Sequence, residues 1–228
     1  ILLMQITDNL KNDISDAPSW FHDAINIKPS EKILKDAKGN LSYSVWPSLS
    51  EDKNLMIFIH GTGAHKKWWY PIAPQFVNYS NVIAVDLPGM GDSGFREKYS
   101  IKDFGQCIIS IIEKEKSNMN IDNISIIGHS LGGQVAGYVA SEEKNLVSNL
   151  IMIDTFIRPP DWDPSQNEGG PLRMIKYYPD KTTILNRFRL LPQQECDNEW
   201  FVRYISEHSV RKTSEGWRWK FDDSMFNS

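Results

Sequence analysis

Four stretches of the chain are almost continuously apolar: Leu55-Met56-Ile57-Phe58-Ile59, Val82-Ile83-Ala84-Val85, Ile124-Ser125-Ile126-Ile127 and Leu150-Ile151-Met152-Ile153. Each stops at a short polar or glycine signal: His60-Gly61, Asp86, Gly128 and Asp154. Short runs that are apolar throughout, rather than alternating, are expected of strands covered on both faces. Between the runs the apolar period lengthens. Ile101, Phe104, Ile108, Ile111 and Ile112 share one face of a helix predicted over 101–115. A second helix is predicted over 134–140. Trp68 to Tyr79 has similar spacing, but Pro71 and Pro74 confine helix to part of it. Nearer the start, 11–27 predicts a short leading helix around Trp20 and Phe21. Residues 32–46 read as a hairpin turning at Lys38-Gly39-Asn40, with Leu41 to Trp46 alternating. Strands alternating with helices require right-handed crossovers, so the fold class is α/β: a mainly parallel sheet with helices on both faces.

The rhythm breaks at Arg158. Pro159, Pro160, Pro164 and Pro171 come first, then helix-like stretches over 172–178, 182–191 and 199–211; Trp162, Trp200, Trp217 and Trp219 are concentrated here. The simplest account is a helical insertion over the sheet edge. The chain divides accordingly into a core, 1–157, and a helical cap with the start of a return to the core, 158–228.

Composition narrows the class. With 228 residues, 40% hydrophobic and 24% charged, the chain has enough apolar surface to fold as one domain. A net charge of −4 argues against a nucleic-acid footprint. No apolar stretch approaches the roughly 20 residues that span a bilayer, so no membrane partner is expected. Two cysteines, Cys107 and Cys196, are too few for a disulfide scaffold and read as a reduced pair in a cytoplasmic protein. The opening Ile1-Leu2-Leu3-Met4 is too short for a signal peptide; either Met4 is the start, or the chain is cut from a longer one.

Candidate chemistry begins at Gly128-His129-Ser130-Leu131-Gly132, a G-x-S-x-G sequence followed by Gly133. At about 7% usage per fixed residue, such a match arises by chance in roughly one chain in ten of this length. Context is what gives it weight. It directly follows a buried-strand run and precedes a helical pattern, the strand–turn–helix setting that raises a serine hydroxyl above a sheet. Small residues two before and two after let strand and helix approach around a strained serine. The alternative is a glycine-rich turn with Ser130 as an N-cap. A second signal, His60-Gly61-Thr62-Gly63, also follows a buried strand. Acyl transfer needs two preorganised donors for an oxyanion, and the N–H groups of Leu131 and Thr62 are the candidates. His60 itself is expected to hold its loop. A third, Asp86-Leu87-Pro88-Gly89-Met90-Gly91-Asp92-Ser93-Gly94, reads as a rigid loop shaping the pocket wall.

In this order and spacing the three signals resemble the α/β-hydrolase fold superfamily over about residues 39–154, with the remainder similar to that family's helical cap. The resemblance is specific for fold and unspecific for substrate, since esterases, C–C bond hydrolases, thioesterases and aminopeptidases share it. It implies a serine hydrolase acting on a small or medium acyl substrate through an acyl-enzyme on Ser130. Serine at this position disfavours epoxide hydrolysis and dehalogenation, whose similar relatives carry Asp there. No cofactor is implied, and His60 and His65 lack further ligands at metal spacing. Gly128 to Gly133 contains no Lys, which disfavours phosphate-loop chemistry.

The same resemblance implies an acid and then a histidine after the nucleophile. Of His22, His60, His65, His129 and His208, only His208 follows Ser130, and its surroundings read as a polar cap helix. Asp154 is the one carboxylate at a strand end after Ser130, a position some relatives use. The expectation is that the base and acid lie beyond Ser228, leaving 150–153 as an uncovered apolar edge. The competing class is a non-catalytic relative that binds without hydrolysing.

Overall fold

The computed structural model describes residues 13–51, 53–157, 159, 176–190 and 193–226. Its strands are β1 (Ser30–Asp36), β2 (Gly39–Trp46), β3 (Asn54–Ile59), β4 (Asn81–Val85), β5 (Asn123–His129), β6 (Asn149–Ile153), β7 (Val210–Thr213) and β8 (Gly216–Trp219). The helices are α1 (Ser19–Asn26), α2 (Ile101–Asn118), α3 (Leu131–Glu142), α4 (Lys181–Leu185) and α5 (Glu199–His208). Six strands form one sheet in the order β1-β2-β4-β3-β5-β6. The β4-β3-β5-β6 pairs are parallel, and the β1–β2 hairpin joins β4 antiparallel.

The continuous apolar runs are explained by the two cores they divide. Ile57, Ile59, Ile83, Val85 and Ile126 point to one face, where Phe104, Ile108, Ile111 and Ile112 of α2 and Val135, Ala136 and Val139 of α3 cover them. Phe58, Val82, Ala84 and Ile127 point to the other, beneath Phe21 of α1, Trp69, Tyr70 and Val77, and Tyr204 and Ile205 of α5. The α2 start is capped by Ser100, whose hydroxyl accepts from the Asp103 amide at 3.0 Å. In place of a helix over 68–79 there are two single 3₁₀ turns, Lys66–Trp68 and Ala73–Phe76, because Pro71 and Pro74 deny the chain the amides a longer helix needs.

Beyond residue 176 the segment is only partly helical. The stretch expected as helix over 182–191 contracts to α4, and that over 199–211 ends at His208. Residues 210–219 form the β7–β8 hairpin, closed by a two-residue Ser214-Glu215 connection with Thr213 facing Gly216. Alternation of Trp217 and Trp219 about Arg218, opposite Val210, was its signal, overshadowed by the helical period preceding it. Most of 172–178 lies outside the described residues. The hairpin and its tail lie against loops that leave the C-terminal ends of β3 and β4. Arg211 donates to the Gly91 carbonyl, the Asp222 amide donates to Gly89 O at 2.7 Å, and Phe221 bridges Met90. At the far side of the sheet, β6 is the edge, with Leu150, Ile151 and Ile153 between 40% and 49% exposed. No helix among the described residues is long and apolar enough to cross a membrane.

A buried ionic hub ties these parts together. Asp86 accepts the Lys66 amide at 2.7 Å on Oδ1, and on Oδ2 the Asp92 amide at 2.9 Å and Lys66 Nζ at 3.1 Å. Lys66 Nζ also donates to Ser42 Oγ at 2.5 Å. Burial would pull the Lys66 ammonium down, but the carboxylates of Asp86, Glu31 and Asp92 outweigh it and hold it above the usual lysine range. Removing one member of such a pair leaves the other charged and dry. Lys66→Met is therefore expected to destabilise the fold by about 3–5 kcal/mol, and Lys66→Met with Asp86→Asn by less than the sum of the singles, both measured by urea unfolding at neutral pH.

Candidate active site

Ser130 occupies the turn between β5 and α3 with φ 52° and ψ −118°. Only Ser130 and Asp154 among the described non-glycine residues have positive φ. Such a serine costs on the order of 1–3 kcal/mol and persists only where surrounding contacts over-determine it. Here they do. The Ser130 amide donates to Ile153 O at 2.9 Å, and its carbonyl accepts the Gly133 amide at 2.9 Å, the Gln134 amide at 3.2 Å and Thr155 Oγ1 at 3.3 Å.

The glycines around it are required by contact. A Cβ on Gly128 would lie 2.2 Å from Gly132 O, one on Gly132 would lie 2.4 Å from Ile59 O, and one on Gly133 would lie 1.9 Å from Thr155 Oγ1. Gly61 completes the set: its Cβ would stand 3.2 Å from Ser130 Cβ and 2.9 Å from His129 Nδ1. The His60–Gly63 loop is thereby brought against the Ser130 side chain. Neither the Thr62 nor the Leu131 amide donates to a protein acceptor among the described residues, Leu131 because it begins α3, where the residue four back, Ile127, lies in strand β5 rather than in the helix.

His60 locks this loop. The Leu87 amide donates to its Nε2 at 3.1 Å, which leaves the ring proton on Nδ1 to bond Gly61 O at 2.8 Å. Burial pushes its pKa down, so the imidazole is neutral. Gly63, at φ 70°, donates its amide to Met90 Sδ at 3.2 Å. The loop after β3 is thus bolted to the loop after β4 through His60, Met90 and the Asp86 hub. Ser93 adds to the second loop, donating to Asp86 O at 2.7 Å and accepting the Ser42 amide at 2.8 Å.

A groove of about 690 Å³ runs past Thr62 and Leu131, walled by Phe104, Met152, Phe156 and Met225 among others, and none of its lining residues is charged. His208 does not reach it. That ring stands edge-on to Tyr204, 4.8 Å between centroids, and lines a different cavity with no residue in common with the groove. Asp154, just past β6, is exposed. Among the described residues no imidazole or carboxylate hydrogen-bonds the Ser130 hydroxyl, and no group of three or more His, Cys, Asp or Glu could hold a metal. Sequence reasoning missed Thr155, which carries no local signal, and the hub formed by Lys66, whose sequence neighbours read as an ordinary loop.

Comparison with known proteins places this geometry. The model of the alpha/beta hydrolase fold family matches residues 54–193. In sequence, the chain is 31% identical over 128 residues to a pimeloyl-[acyl-carrier protein] methyl ester esterase of Pseudoalteromonas atlantica, covering 53% of this chain and 46% of that protein. The chain spans less than half the length of the relatives it matches in sequence. Two solved structures share the fold: a thioesterase domain from the curacin biosynthetic pathway, TM-score 0.67 at 22% identity, and a putative hydrolase from Rickettsia typhi, TM-score 0.68 at 20% identity. Each match covers 87% of this chain and 74% of the other.

The steric account separates two glycines of one helix. Gly132→Ala would drive a methyl into the Ile59 and His60 carbonyls, backbone atoms that cannot swing away, and is expected to cost about 1–3 kcal/mol. Gly137→Ala meets nothing closer than Met152 Cε at 3.5 Å, and is expected to be neutral or to stabilise by up to ~1 kcal/mol through helix propensity. Thermal and urea unfolding of the two variants, compared side by side, check this.

Proposed function

We propose, for a chain that belongs to the alpha/beta hydrolase fold family, that Ser130 is the nucleophile of a serine hydrolase cleaving an ester or related acyl bond of a small or medium substrate. The observation that carries this reading is the Ser130 backbone at φ 52°, ψ −118°, held between glycines with its side chain against Gly61. In the reaction Ser130 Oγ bonds to the acyl carbon, and the carbonyl oxygen becomes an oxyanion. The Thr62 and Leu131 amides donate to that oxyanion. The bond to the leaving group then breaks, that group takes up the proton given up by the Ser130 hydroxyl, and water adds to the acyl-enzyme, its OH going to the acid and its proton restoring the Ser130 hydroxyl. The uncharged groove favours an apolar acyl chain over a charged one.

Residues 1–157 act as the hydrolase core in this reading and 158–228 as a cap. The contacts of the hairpin and tail with the loop after β4 support that division. A reducing, cytoplasmic setting belongs to the same reading; Cys107 and Cys196, both free thiols, support it. One observation favours a second reading, a hydrolase-like binding or scaffold protein: a serine hydroxyl needs a neighbouring base to attack, and none among the described residues bonds it.

A fluorophosphonate probe distinguishes the two. Hydrolase function predicts a covalent adduct on the peptide containing Ser130, found by mass spectrometry and abolished in Ser130→Ala. An adduct elsewhere would overturn the site assignment. No adduct, together with saturable binding of an apolar ester that Leu131→Trp blocks, would establish the binding protein instead.

A further inference from the structure

Helix α3 contains three glycines, and the fold requires only two of them. A Cβ on Gly132 or Gly133 would collide with the Ile59 and His60 carbonyls or with Thr155 Oγ1. Gly137 is different. It lies inside regular helix, and among the described residues its Cβ would meet only Met152, Cε at 3.5 Å and Sδ at 3.9 Å, which are ordinary contact distances. Glycine is the least favourable residue after proline for a helix interior, because it loses the most chain freedom on folding. At this position the fold gives up stability without gaining a close approach in return.

What Gly137 does have is a place in the Ser130 site. It lines the same groove as Thr62 and Leu131, with Met152, Phe156 and Ile157. Ser130, Gln134 and Gly137 stand at i, i+4 and i+7, the spacing of one stripe along the helix. Gln134 Nε2 donates to Phe156 O at 2.9 Å, which fastens the Phe156 segment to that stripe. Phe156 and Ile157 are 56% and 71% exposed, so this wall turns apolar side chains to water. The one neighbour that a Cβ at 137 would reach, Met152, is itself a lining residue. A larger side chain there would fill groove rather than core.

Distance along the helix sets the length of what fits. Seven residues advance about 10 Å from Ser130 to Gly137. Three backbone bonds span roughly 3.3–3.6 Å, so an extended carbon chain advances about 1.2 Å per bond and needs about eight carbons for that path. An uncharged groove with exposed apolar walls suits hydrocarbon rather than a polar extension.

We propose that Gly137 determines specificity at the Ser130 site: the groove takes an acyl chain of about eight carbons or more, its far part running through the space that an absent side chain leaves. Chain-length selection rests on Ser130 being the nucleophile proposed above, and narrows the substrate to medium- or longer-chain acyl groups. Gly137 touches no reacting atom. A larger residue there obstructs long chains and leaves short ones unaffected.

The test uses fluorophosphonates with an ethyl or a decyl group on phosphorus, standing where the acyl chain would. Each is reacted with the full chain, with Gly137→Ala and with Gly137→Leu, and the rate of Ser130 labelling is read by mass spectrometry. The parent is expected to react at least about tenfold faster with the decyl probe. Gly137→Ala should lower that preference about fourfold, one methylene's worth. Gly137→Leu should abolish it while ethyl labelling stays within about twofold of the parent, short chains ending before residue 137. Circular dichroism and melting temperature check that both variants fold; should Gly137→Leu not fold, the ratio in Gly137→Ala decides. The proposal is overturned if the parent labels no faster with decyl than with ethyl, if the ratio is unchanged in the folded variants, or if both probes slow equally. With no Ser130 adduct from either probe, the nucleophile reading fails by itself, and binding of methyl decanoate against methyl butanoate decides. A preference for the longer ester that Gly137→Leu removes upholds the role of Gly137, and equal binding of the two esters refutes it.

Discussion

A serine at φ 52° is a conformation that the chain adopts only when everything around it leaves no alternative. Four absent side chains create that situation. At Gly128, Gly132 and Gly133 the backbones of β5, α3 and β3 and the Thr155 side chain approach closer than any Cβ would permit, and at Gly61 the loop after β3 closes on the serine itself. Backbone hydrogen bonds then fill the space: the Ser130 amide extends the β5–β6 ladder, and its carbonyl opens α3. Sheet order, the position of α3 and the approach of the His60–Gly63 loop all depend on this junction.

The Asp86 hub does the same for the loops. A carboxylate 1% exposed receives two backbone amides and an ammonium 3% exposed. Removing two charges from water is expensive and is recovered only by near-complete hydrogen bonding. That requirement fixes the Lys66 turn against the Asp86–Gly94 loop. His60, neutral and bonded at both nitrogens, fixes the other end of the same loop pair. The two candidate oxyanion donors therefore sit on backbone held from several sides, which is what preorganised charge stabilisation requires.

The two cavities differ in chemistry. The groove beside Ser130 has no charged lining residue; the cavity at α5 is lined by lysines, an arginine, glutamates and a histidine. Aromatic contacts separate the second from the core: Phe21 packs edge-on against Tyr204 at 5.3 Å and against Trp200 at 4.6 Å. Of the tryptophans late in the chain, Trp200 clamps α5 to α1, while Trp219 packs with Tyr178 and Phe188 around the hairpin.

The strands of the six-stranded sheet, their order of appearance and the elbow at Ser130 were legible in the sequence, because a strand covered on both faces must be apolar throughout and a strained turn must be flanked by glycine. The same local rules located α2 and α3, and they stopped at Pro71 and Pro74 for the same reason the helix did. What they missed depends on residues distant in sequence. Lys66 meets Asp86, Glu31 and Ser42 only after β1, β2 and β4 pair, and Thr155 reaches Ser130 only once β6 lies beside β5. The β7–β8 hairpin was decided by what its strands could pack against, as was the placing of three histidines: His60 locks a loop, His65 meets Ser209 Oγ at 3.0 Å, and His208 lines a cavity. Local patterns record which residues must be buried or must lack a side chain; which charges meet is a property of the assembled chain, since an ion pair between distant residues leaves no period in the sequence.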